Sequence, residues 1–435
     1  KLLSSGIFDI LNLSITDYGK RKEQKMSITL SQAKEKLEKY GQPHVLKYFE
    51  ELSETEKAAL LAQIETSDMN VIDSCRHQEE LLQRGVITPL AAMQLPEIQA
   101  NRESFTATGL EAIRAGRVGA VLLAGGMGTR LGSDDPKGVY NVGITRKLYI
   151  FECLMHNLLD VVRQADAWIH LFVMTSDKNH DTTVRFLTEH EFFGYKAEYV
   201  HFFQQKMALA VDYDGKIFLE EKGKMASSPN GNGGWFVSLK DAGLLDLVHE
   251  TGIEWLNVFA VDNVLQKIAD PCFVGATIQK NCVVGAKVVR KVTPDEKVGA
   301  ICLEDGRPSI VEYYDMTEEL LEAKDENGAP AYNFGVILNY LFSVAELERI
   351  LSRSLPLHVV EKKIPYINED GILVKPEAPN GYKFENLVLD MIHQMESCLP
   401  FEVVREQEFA PIKNRTGIDS VESARELLRL SGVEL

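Results

Sequence analysis

The sequence predicts an α/β protein with a doubly wound, mixed but mainly parallel sheet, a helical N-terminal region and a short C-terminal α+β region. Apolar runs of strand length alternate with amphipathic stretches through the middle of the chain, which is typical of parallel strands joined by helices. The first run, at residues 118–124, ends in glycines. Because ligands in such sheets bind beyond the carboxyl ends of the strands, we expect the functional site there.

The N-terminal region is expected to be mainly helical. Thr29 with Gln32, and Ser53 with Glu56, fit the capping-box pattern, and each pair precedes a periodic apolar stretch. Met26 is a candidate internal start, which makes residues 1–25 an extension. We divide the chain into a mainly helical region at 1–100, a central domain at 101–395 and a short region at 396–435.

The central domain contains further runs that resemble buried strands. Besides residues 118–124, these lie at 168–174, 199–203 and 255–261. Amphipathic stretches at 182–190 and 239–249 are expected helices between them. Residues 298–314 differ, because two β-rich pieces flank Asp305-Gly306, a hairpin signal that predicts antiparallel pairing. After about residue 400 we expect a short strand, a loop and a final helix.

Composition and charge exclude several classes of partner. The 435 residues carry a net charge of −17, which disfavours binding to nucleic acid and to anionic membranes. No apolar run reaches the ~18 residues of a membrane span. The six cysteines are scattered without a C-x-x-C pair, so neither a zinc site nor a redox motif is signalled. Reduced thiols of this kind are typical of a cytoplasmic protein.

The glycine-rich segment LAGGMGTRLG, residues 123–132, follows the first predicted strand directly. Consecutive backbone N–H groups in such a loop form an anion-binding nest. The dinucleotide fingerprint is excluded because Leu131 stands where it requires glycine, and the P-loop is excluded because it needs Gly-Lys-Ser/Thr. A tight turn without a ligand is the alternative. Arg130 and Lys137 favour a polyphosphate site, since a planar guanidinium can donate two hydrogen bonds to one phosphate and an ammonium carries a compact positive charge.

An aspartate stands at the end of another predicted strand. Asp262 follows the run at residues 255–261. A carboxylate at the carboxyl end of a strand is well placed to hold a hard cation such as Mg²⁺ through oxygen. The alternative role is a cap on the following turn.

These motifs resemble the eukaryotic UDP-N-acetylhexosamine (UDP-N-acetylglucosamine) pyrophosphorylases. The string LAGGMGTRLG, followed by PKGVYNVG at 136–143, carries the resemblance, which extends from about residue 70 to residue 425. Ordered motifs downstream strengthen it, namely FQQ at 203–205, DGKI at 214–217, GNGG at 231–234, VDNVL at 261–265, KKIPY at 362–366, PNGYK at 379–383 and PIKN at 411–414.

The resemblance implies a Rossmann-like nucleotide-diphospho-sugar transferase fold in the central domain. The implied reaction joins UTP to N-acetylglucosamine 1-phosphate and releases UDP-N-acetylglucosamine and pyrophosphate, with Mg²⁺ or Mn²⁺ as cofactor. The implied site residues are Arg130, Lys137 and Lys413 for catalysis; Leu123, Ala124, Gly125, Gly126, Lys137, Gln205, Gly231, Asp262 and Lys383 for the nucleotide; Asn232, Gly299 and Glu312 for the sugar; and Asp262 for the metal.

One departure from the family concerns the sugar. Val336 stands where the family has an asparagine of the sugar pocket, and Leu387 and Leu389 stand where aromatic residues are common near the acetamido group. Two alternatives therefore remain beside the first hypothesis. One is a UDP-glucose or broad UDP-sugar pyrophosphorylase, and the other is a non-catalytic nucleotide-sugar binding or regulatory protein.

Overall fold

The computed structural model describes residues 28–74, 84–351, 353 and 355–435. The possible extension at 1–25 and Met26 lie outside these ranges. The helices are α1 (Leu30–Lys39), α2 (Glu54–Thr66), α3 (Val71–Ser74), α4 (Leu95–Arg114), α5 (Ile150–Ala165), α6 (His180–Glu189), α7 (Trp235–Asp241), α8 (Leu244–Glu250), α9 (Pro271–Gln279), α10 (Glu318–Glu322), α11 (Val344–Ile350), α12 (Val388–His393), α13 (Arg405–Glu408) and α14 (Val421–Leu430).

The strands are β1 (Ile87–Pro89), β2 (Val118–Leu123), β3 (Leu171–Thr175), β4 (Val200–Gln204), β5 (Met207–Leu209), β6 (Val211–Asp212), β7 (Leu219–Glu221), β8 (Lys224–Met225), β9 (Ser227–Pro229), β10 (Trp255–Ala260), β11 (Val284–Arg290), β12 (Ala300–Glu304), β13 (Arg307–Val311), β14 (Phe334–Ser343), β15 (His358–Lys362), β16 (Tyr366–Ile367), β17 (Leu373–Val374), β18 (Gly381–Glu385) and β19 (Cys398–Glu402). No helix in the described ranges is long and apolar enough to cross a membrane.

The described residues group into two compact units. The smaller unit combines the described part of Lys1–Gln78 with Met207–Ser228 and Val359–Phe384. The larger unit combines the described part of Glu79–Lys206 with Pro229–His358 and Glu385–Leu435. The three-region division at residues 100 and 395 stays a prediction.

Helices α1 and α2 of the smaller unit begin as predicted. The Thr29 side chain accepts a hydrogen bond from the Gln32 backbone, and the Gln32 side chain accepts one from the Thr29 backbone. Ser53 and Glu56 form the same reciprocal pair at α2. Each capping box satisfies two backbone donors that a helix start otherwise leaves unpaired.

The larger unit contains a ten-stranded mixed sheet within the described residues. The order β1–β12–β14–β10–β2–β3–β4 forms its main path, while β11 pairs with β14 and β19, and β13 pairs with β12. Strands β10, β2, β3 and β4 run parallel. The hairpin β12–β13 is antiparallel, as predicted. Packed clusters cover both faces of β2, since Ala120 and Leu122 belong to one and Val121 and Leu123 to the other. The predicted doubly wound, mixed fold is confirmed.

The parallel register places four strand ends at one edge of the sheet. Ala260 of β10 pairs with Leu123 of β2, and Leu123 pairs with Met174 of β3. Thr175 of β3 pairs with Gln204 of β4. The residues that follow these strands, including the glycine-rich loop, Gln205 and Asp262, therefore start at the same edge.

Two local features differ from the sequence-based expectation. The single helix expected at 239–249 is two helices, α7 and α8. Gly243 between them has φ of 75°, a left-handed conformation that ends a helix and that glycine adopts without strain. Strand β14 contains a bulge opposite β11, because Ala286 pairs with Tyr340 whereas Val288 pairs with Val336.

Candidate active site

The glycine-rich loop is held closed at its ends by backbone hydrogen bonds. The Ala124 N–H donates to the Met174 carbonyl at 2.8 Å, which extends the pairing of β2 with β3. The Lys137 N–H donates to the Gly126 carbonyl at 3.1 Å. The loop therefore turns back on itself, and the backbone of Lys137 lies directly beside the glycines.

Gln205 explains why Gly125 has no side chain. Gln205 follows β4, is buried, and donates its backbone N–H to the Thr175 carbonyl at 2.8 Å. A Cβ on Gly125 would lie 2.1 Å from Gln205 Oε1, far inside van der Waals contact. Gln205 Nε2 donates to the Gly231 carbonyl at 3.5 Å. One carboxamide thus contacts both glycine segments that the sequence assigns to the nucleotide.

Asn179 is a supporting residue that sequence reasoning missed. Its buried Nδ2 donates to the Ala124 carbonyl at 2.9 Å, and its Oδ1 accepts from the Ser176 N–H at 2.8 Å. The side chain therefore fixes the first turn of the glycine-rich loop against the end of β3. The sequence could have drawn attention to Asn179 only through its place just before α6, where asparagine is common. In the structure its side chain holds the glycine-rich loop and does not cap the helix.

The Gly231-Asn232 turn is fixed against the segment that precedes α12. Gly231 has φ of 84°, and a Cβ there would lie 2.3 Å from the Asn386 carbonyl oxygen. Asn232 Oδ1 accepts from the Val388 N–H at 2.9 Å. Backbone conformation and space both require glycine at position 231.

Asp262 lies beside the glycine-rich loop, as the parallel register requires. Its carboxylate Oδ2 is 3.8 Å from Lys137 Nζ, and the two side chains are 23% and 18% exposed. The Asp262 carbonyl accepts from the Ile412 N–H at 2.9 Å, which brings the next residue, Lys413, to the same place. Lys413 Nζ donates to Asp419 Oδ2 at 3.0 Å.

A cleft of about 240 Å³ in the larger unit brings together residues from every part of the predicted sugar site. Asn232, Asp262, Gly299, Glu312 and Lys413 all line it. The rest of the lining is mainly apolar and includes Val336, Tyr340, Leu387, Leu389 and Phe409. The cleft therefore combines the charged side chains of Asp262, Glu312 and Lys413 with a mainly apolar lining.

Glu312 lies at the cleft wall beside Gly299. A Cβ on Gly299 would lie 3.6 Å from the Glu312 carboxyl carbon and 3.5 Å from Val336 Cγ2. Burial raises the pKa of Glu312, and the neighbouring Asp315 raises it further. Lys413, Arg84 and His358 act in the opposite direction without cancelling the shift. The carboxyl group is therefore partly withdrawn from water and protonates more readily than an exposed glutamate.

The residues that line this cleft do not include Arg130 or Lys383. Arg130 is exposed, in the short 3₁₀ turn Thr129–Leu131 of the glycine-rich loop. Lys383 lies in β18 and belongs to the smaller unit. Their roles on the phosphates stay predictions. Sequence reasoning also passed over Arg415, whose Nη1 lies 3.7 Å from the Cβ position of Gly132 and so adds a cation beside the loop.

Comparison with known proteins fits this arrangement. A family profile described as UTP--glucose-1-phosphate uridylyltransferase matches residues 69–428. The chain belongs to this family. The human UDP-N-acetylhexosamine pyrophosphorylase-like protein 1 is 36% identical over 90% of this chain and 82% of its own length. The UDP-N-acetylglucosamine pyrophosphorylase of Saccharomyces cerevisiae is 34% identical over 88% of this chain and 86% of its own length.

Solved structures of similar proteins share the fold. The Trypanosoma brucei uridine diphosphate N-acetylglucosamine pyrophosphorylase, in complex with an inhibitor, aligns with a TM-score of 0.80 and 28% identity. That alignment covers 93% of this chain and 85% of the other. The protein described as a putative UDP-N-acetylglucosamine pyrophosphorylase from Entamoeba histolytica aligns with a TM-score of 0.71 and 33% identity, over 78% of this chain and 86% of its own.

Proposed function

We propose that this chain transfers the uridylyl group of UTP to N-acetylglucosamine 1-phosphate, forming UDP-N-acetylglucosamine and pyrophosphate. The observation that carries the proposal is the single cleft in which Asp262 and Lys413 meet Asn232 and Glu312, with Lys137 beside Asp262. This cleft offers charged groups for phosphates together with hydrogen-bonding groups for a sugar. The pyrophosphorylase names of the similar proteins support the same reaction.

The reaction needs positioning and charge compensation more than proton transfer. A phosphate oxygen of the sugar 1-phosphate, already an anion, attacks the α-phosphorus of UTP, and pyrophosphate leaves in line. Two like charges at ~4 Å cost about 4 kcal/mol at an effective dielectric of ~20. Lys137 and Lys413 offset this repulsion, and the backbone N–H groups of the glycine-rich loop add fixed dipoles. This is the general logic of phosphoryl transfer, applied here to a nucleotidyl group.

Gln205 is assigned to the uracil end of the nucleotide. Its carboxamide contacts the loop at Gly125 and the turn at Gly231. An amide presents both a donor and an acceptor, which matches the edge of a uracil base. Because the Gln205 side chain is buried and hydrogen-bonded to the Gly231 carbonyl, its amide is already oriented before the nucleotide binds.

A divalent cation, Mg²⁺ or Mn²⁺, is assigned to Asp262. The described residues contain no group of three His, Cys, Asp or Glu side chains placed to hold a metal. One carboxylate next to a phosphate site fits Mg²⁺, which takes one or two protein carboxylates and completes its shell with phosphate oxygens and water. Such an ion supplies charge neutralisation at the phosphates. Lys137, at 3.8 Å from Asp262, keeps this carboxylate in place.

The cleft wall favours an N-acetylated sugar over glucose. Val336, Leu387 and Leu389 present aliphatic groups to the cleft, and these suit the methyl of an acetamido group better than a hydroxyl. Glu312 and Asn232 remain to contact sugar hydroxyls. UDP-glucose formation is the second candidate, because the resemblance to the family implies an asparagine of the sugar pocket at the position where this chain has Val336.

A pyrophosphate-release assay tests the reaction directly. The protein is incubated with UTP, Mg²⁺ and, separately, the 1-phosphates of N-acetylglucosamine, N-acetylgalactosamine and glucose. We expect the fastest release with an N-acetylated sugar. Release only with glucose 1-phosphate would replace the first candidate by the second. Absence of release with every sugar, together with retained UDP-sugar binding, would establish the non-catalytic alternative.

Glu312→Gln is expected to weaken sugar binding while stabilising the fold at neutral pH. A carboxyl whose pKa is raised on folding gives stability that is present at low pH and is lost as the pH rises through the folded pKa. Glutamine does not ionise, so the variant does not lose stability as the pH rises. The free energy of unfolding at pH 7 should therefore be higher than in the original chain. The KM for the sugar 1-phosphate should rise about tenfold, since a hydrogen bond to a charged acceptor is lost.

The pH dependence provides the control for this prediction. In the original chain, kcat/KM for the sugar 1-phosphate should decrease as the pH is lowered. Because the pKa of Glu312 is raised, this decrease should begin at a higher pH than the ordinary pKa of a glutamate. Glu312→Gln should lose this acid limb. An unchanged limb and an unchanged KM would remove Glu312 from the sugar site.

We place the reaction in the cytoplasm. The described cysteines are free thiols, and all except Cys282 are buried. Burial raises the pKa of Cys153 and of Cys302 to about 12, which keeps these thiols protonated and unreactive. Reduced, inert thiols are typical of cytosolic proteins.

A further inference from the structure

A fully buried lysine lies behind the wall of the cleft. Lys287 of β11 has 0% exposure. Its Nζ donates to Glu408 Oε2 at 2.5 Å, to the Lys267 carbonyl at 3.1 Å and to Asp270 Oδ2 at 3.3 Å. All three ammonium protons therefore have acceptors, which is the arrangement that a buried charge requires.

The ammonium of Lys287 stays charged in this position. Burial alone favours the neutral amine, but the carboxylates of Glu408 and Asp270 outweigh it, so the pKa of Lys287 is raised. Burial is the largest single influence on Asp270 and acts to raise its pKa, but the charges of Lys287 and Lys267 and the hydrogen bonds from the Cys272 N–H and from Lys287 together outweigh burial, so the pKa of Asp270 is lowered. Replacing a buried ion pair by apolar residues is often neutral for stability. A stability role alone therefore does not account for this cluster.

The first consequence of the cluster concerns the segment Glu408 to Lys413. Asn263, next to Asp262, donates from Nδ2 to the Glu408 carbonyl at 2.7 Å and accepts at Oδ1 from the Ala410 N–H at 2.9 Å. The Ile412 N–H donates to the Asp262 carbonyl at 2.9 Å. Lys287 anchors the start of this segment at Glu408. These contacts connect the segment Glu408 to Lys413 to the residues around Asp262. Lys413 is the last residue of this segment.

The second consequence concerns the bulge of β14. The register shift leaves Lys287 opposite residues 337–339, where Leu338 has φ of 51°. Asn339 Nδ2 donates at 3.3 Å to the Lys267 carbonyl, which also accepts from Lys287. Asn339 Oδ1 accepts from Asn257 Nδ2 at 2.8 Å. Bulges are common beside active sites, where they redirect side chains, and Ile337 and Leu338 line this cleft.

We propose that Lys287 is a positioning residue for uridylyl transfer, acting through Glu408 and through the Lys267 carbonyl that it shares with Asn339. It does not line the cleft. Its ammonium holds the Glu408–Lys413 segment and the bulge of β14 in one arrangement, so that Asp262, Lys413 and the sugar-facing wall keep their mutual distances. This inference rests on the proposed function.

The test uses two variants, because a single substitution leaves Glu408 buried without its main partner. Lys287→Met removes the charge alone, and the double variant Lys287→Met, Glu408→Gln removes both members of the closest ion pair. Each is compared with the original chain for unfolding temperature, kcat and KM. We expect kcat of the double variant to fall roughly tenfold to 100-fold, the cost of a misplaced catalytic group, with the KM for UTP within about twofold, since the glycine-rich loop is untouched.

Tyr195→Phe is the matched control. It removes a buried hydrogen bond, from the Tyr195 hydroxyl to the Ile169 carbonyl at 2.6 Å, away from the cleft lining. This variant should lose stability without a change in kcat. If the double variant is folded and retains the kcat of the original chain, Lys287 has a structural role only and the inference fails.

Hydrogen exchange provides a readout that does not depend on activity. The amides of Ala410 and Ile412 donate to Asn263 and Asp262. In the Lys287 variants these two amides should lose protection at least about tenfold more than the core amides of β2. Unchanged protection overturns the inference. If the original chain releases no pyrophosphate while protection is lost as expected, the proposed function fails and the anchoring by Lys287 stands.

Discussion

Lys137→Ala should lower kcat by about 100- to 1,000-fold, the usual cost of removing one group that stabilises charge in a transition state. The Lys137 side chain is only 18% exposed, and its ammonium lies 3.8 Å from Asp262 at the edge where four parallel strands end. Its backbone N–H already holds the glycine-rich loop, and alanine keeps this bond to the Gly126 carbonyl. The loss should therefore concern chemistry and not the fold. Steady-state kinetics and thermal unfolding measure the two separately.

Lys280→Ala is the matched control for this substitution. Lys280 also pairs with one carboxylate, Glu97, at 3.0 Å, but on the exposed surface and outside the cleft lining. An exposed ion pair of this kind contributes little to stability. Its loss should leave kcat unchanged. A Lys137→Ala variant that turns over at the rate of the control would remove Lys137 from the catalytic group.

Gly125→Ala should have the second largest effect, with a loss of both stability and nucleotide affinity. The new methyl group would lie 2.1 Å from Gln205 Oε1, so the loop or the carboxamide has to move. Overpacking in a close-packed site costs about 1–3 kcal/mol. Displacing the Gln205 amide should raise the KM for UTP about tenfold, the equivalent of one hydrogen bond to a buried group.

A double-mutant cycle separates the steric cause from other effects. Truncation in Gln205→Ala removes the atom that the methyl group meets, so the unfolding free energies of the two substitutions should be clearly non-additive. Gly126→Ala is the control for stability, because a Cβ there meets nothing within 4 Å. Additive energies, or an equal loss of stability at Gly126, would contradict the packing explanation.

The sequence predicted those parts of the fold that depend on local patterns. The capping boxes at Thr29 and Ser53 are present because their four-residue spacing is set by helix geometry alone. The buried strand Val118–Leu123 and the Asp305-Gly306 hairpin follow from runs of a few residues. The split of the helix at Gly243 was missed because an isolated glycine in an amphipathic stretch does not reveal its φ angle.

The candidate site was predictable where residues follow strands and unpredictable where partners are distant. Asp262 and Gln205 follow strand ends, so the parallel order brings them to the loop. The bracing of Gly231 by Asn386 and the anchoring of Glu408 by Lys287 join positions that are more than 100 residues apart. The sequence analysis did not single out Lys287, because its burial and its partners depend on strand register, which a single sequence does not specify.

The crowding around Gly125 and Gly231 has a consequence for how this protein can change over generations. At the proposed nucleotide end even one added methyl group would meet Gln205 Oε1 at 2.1 Å or the Asn386 carbonyl oxygen at 2.3 Å, so selection should eliminate most substitutions there. At the proposed sugar end, Val336, Leu387 and Leu389 line the cleft with side chains and not with crowded backbone glycines. A lineage can therefore acquire a new sugar by a few substitutions while its dependence on UTP persists.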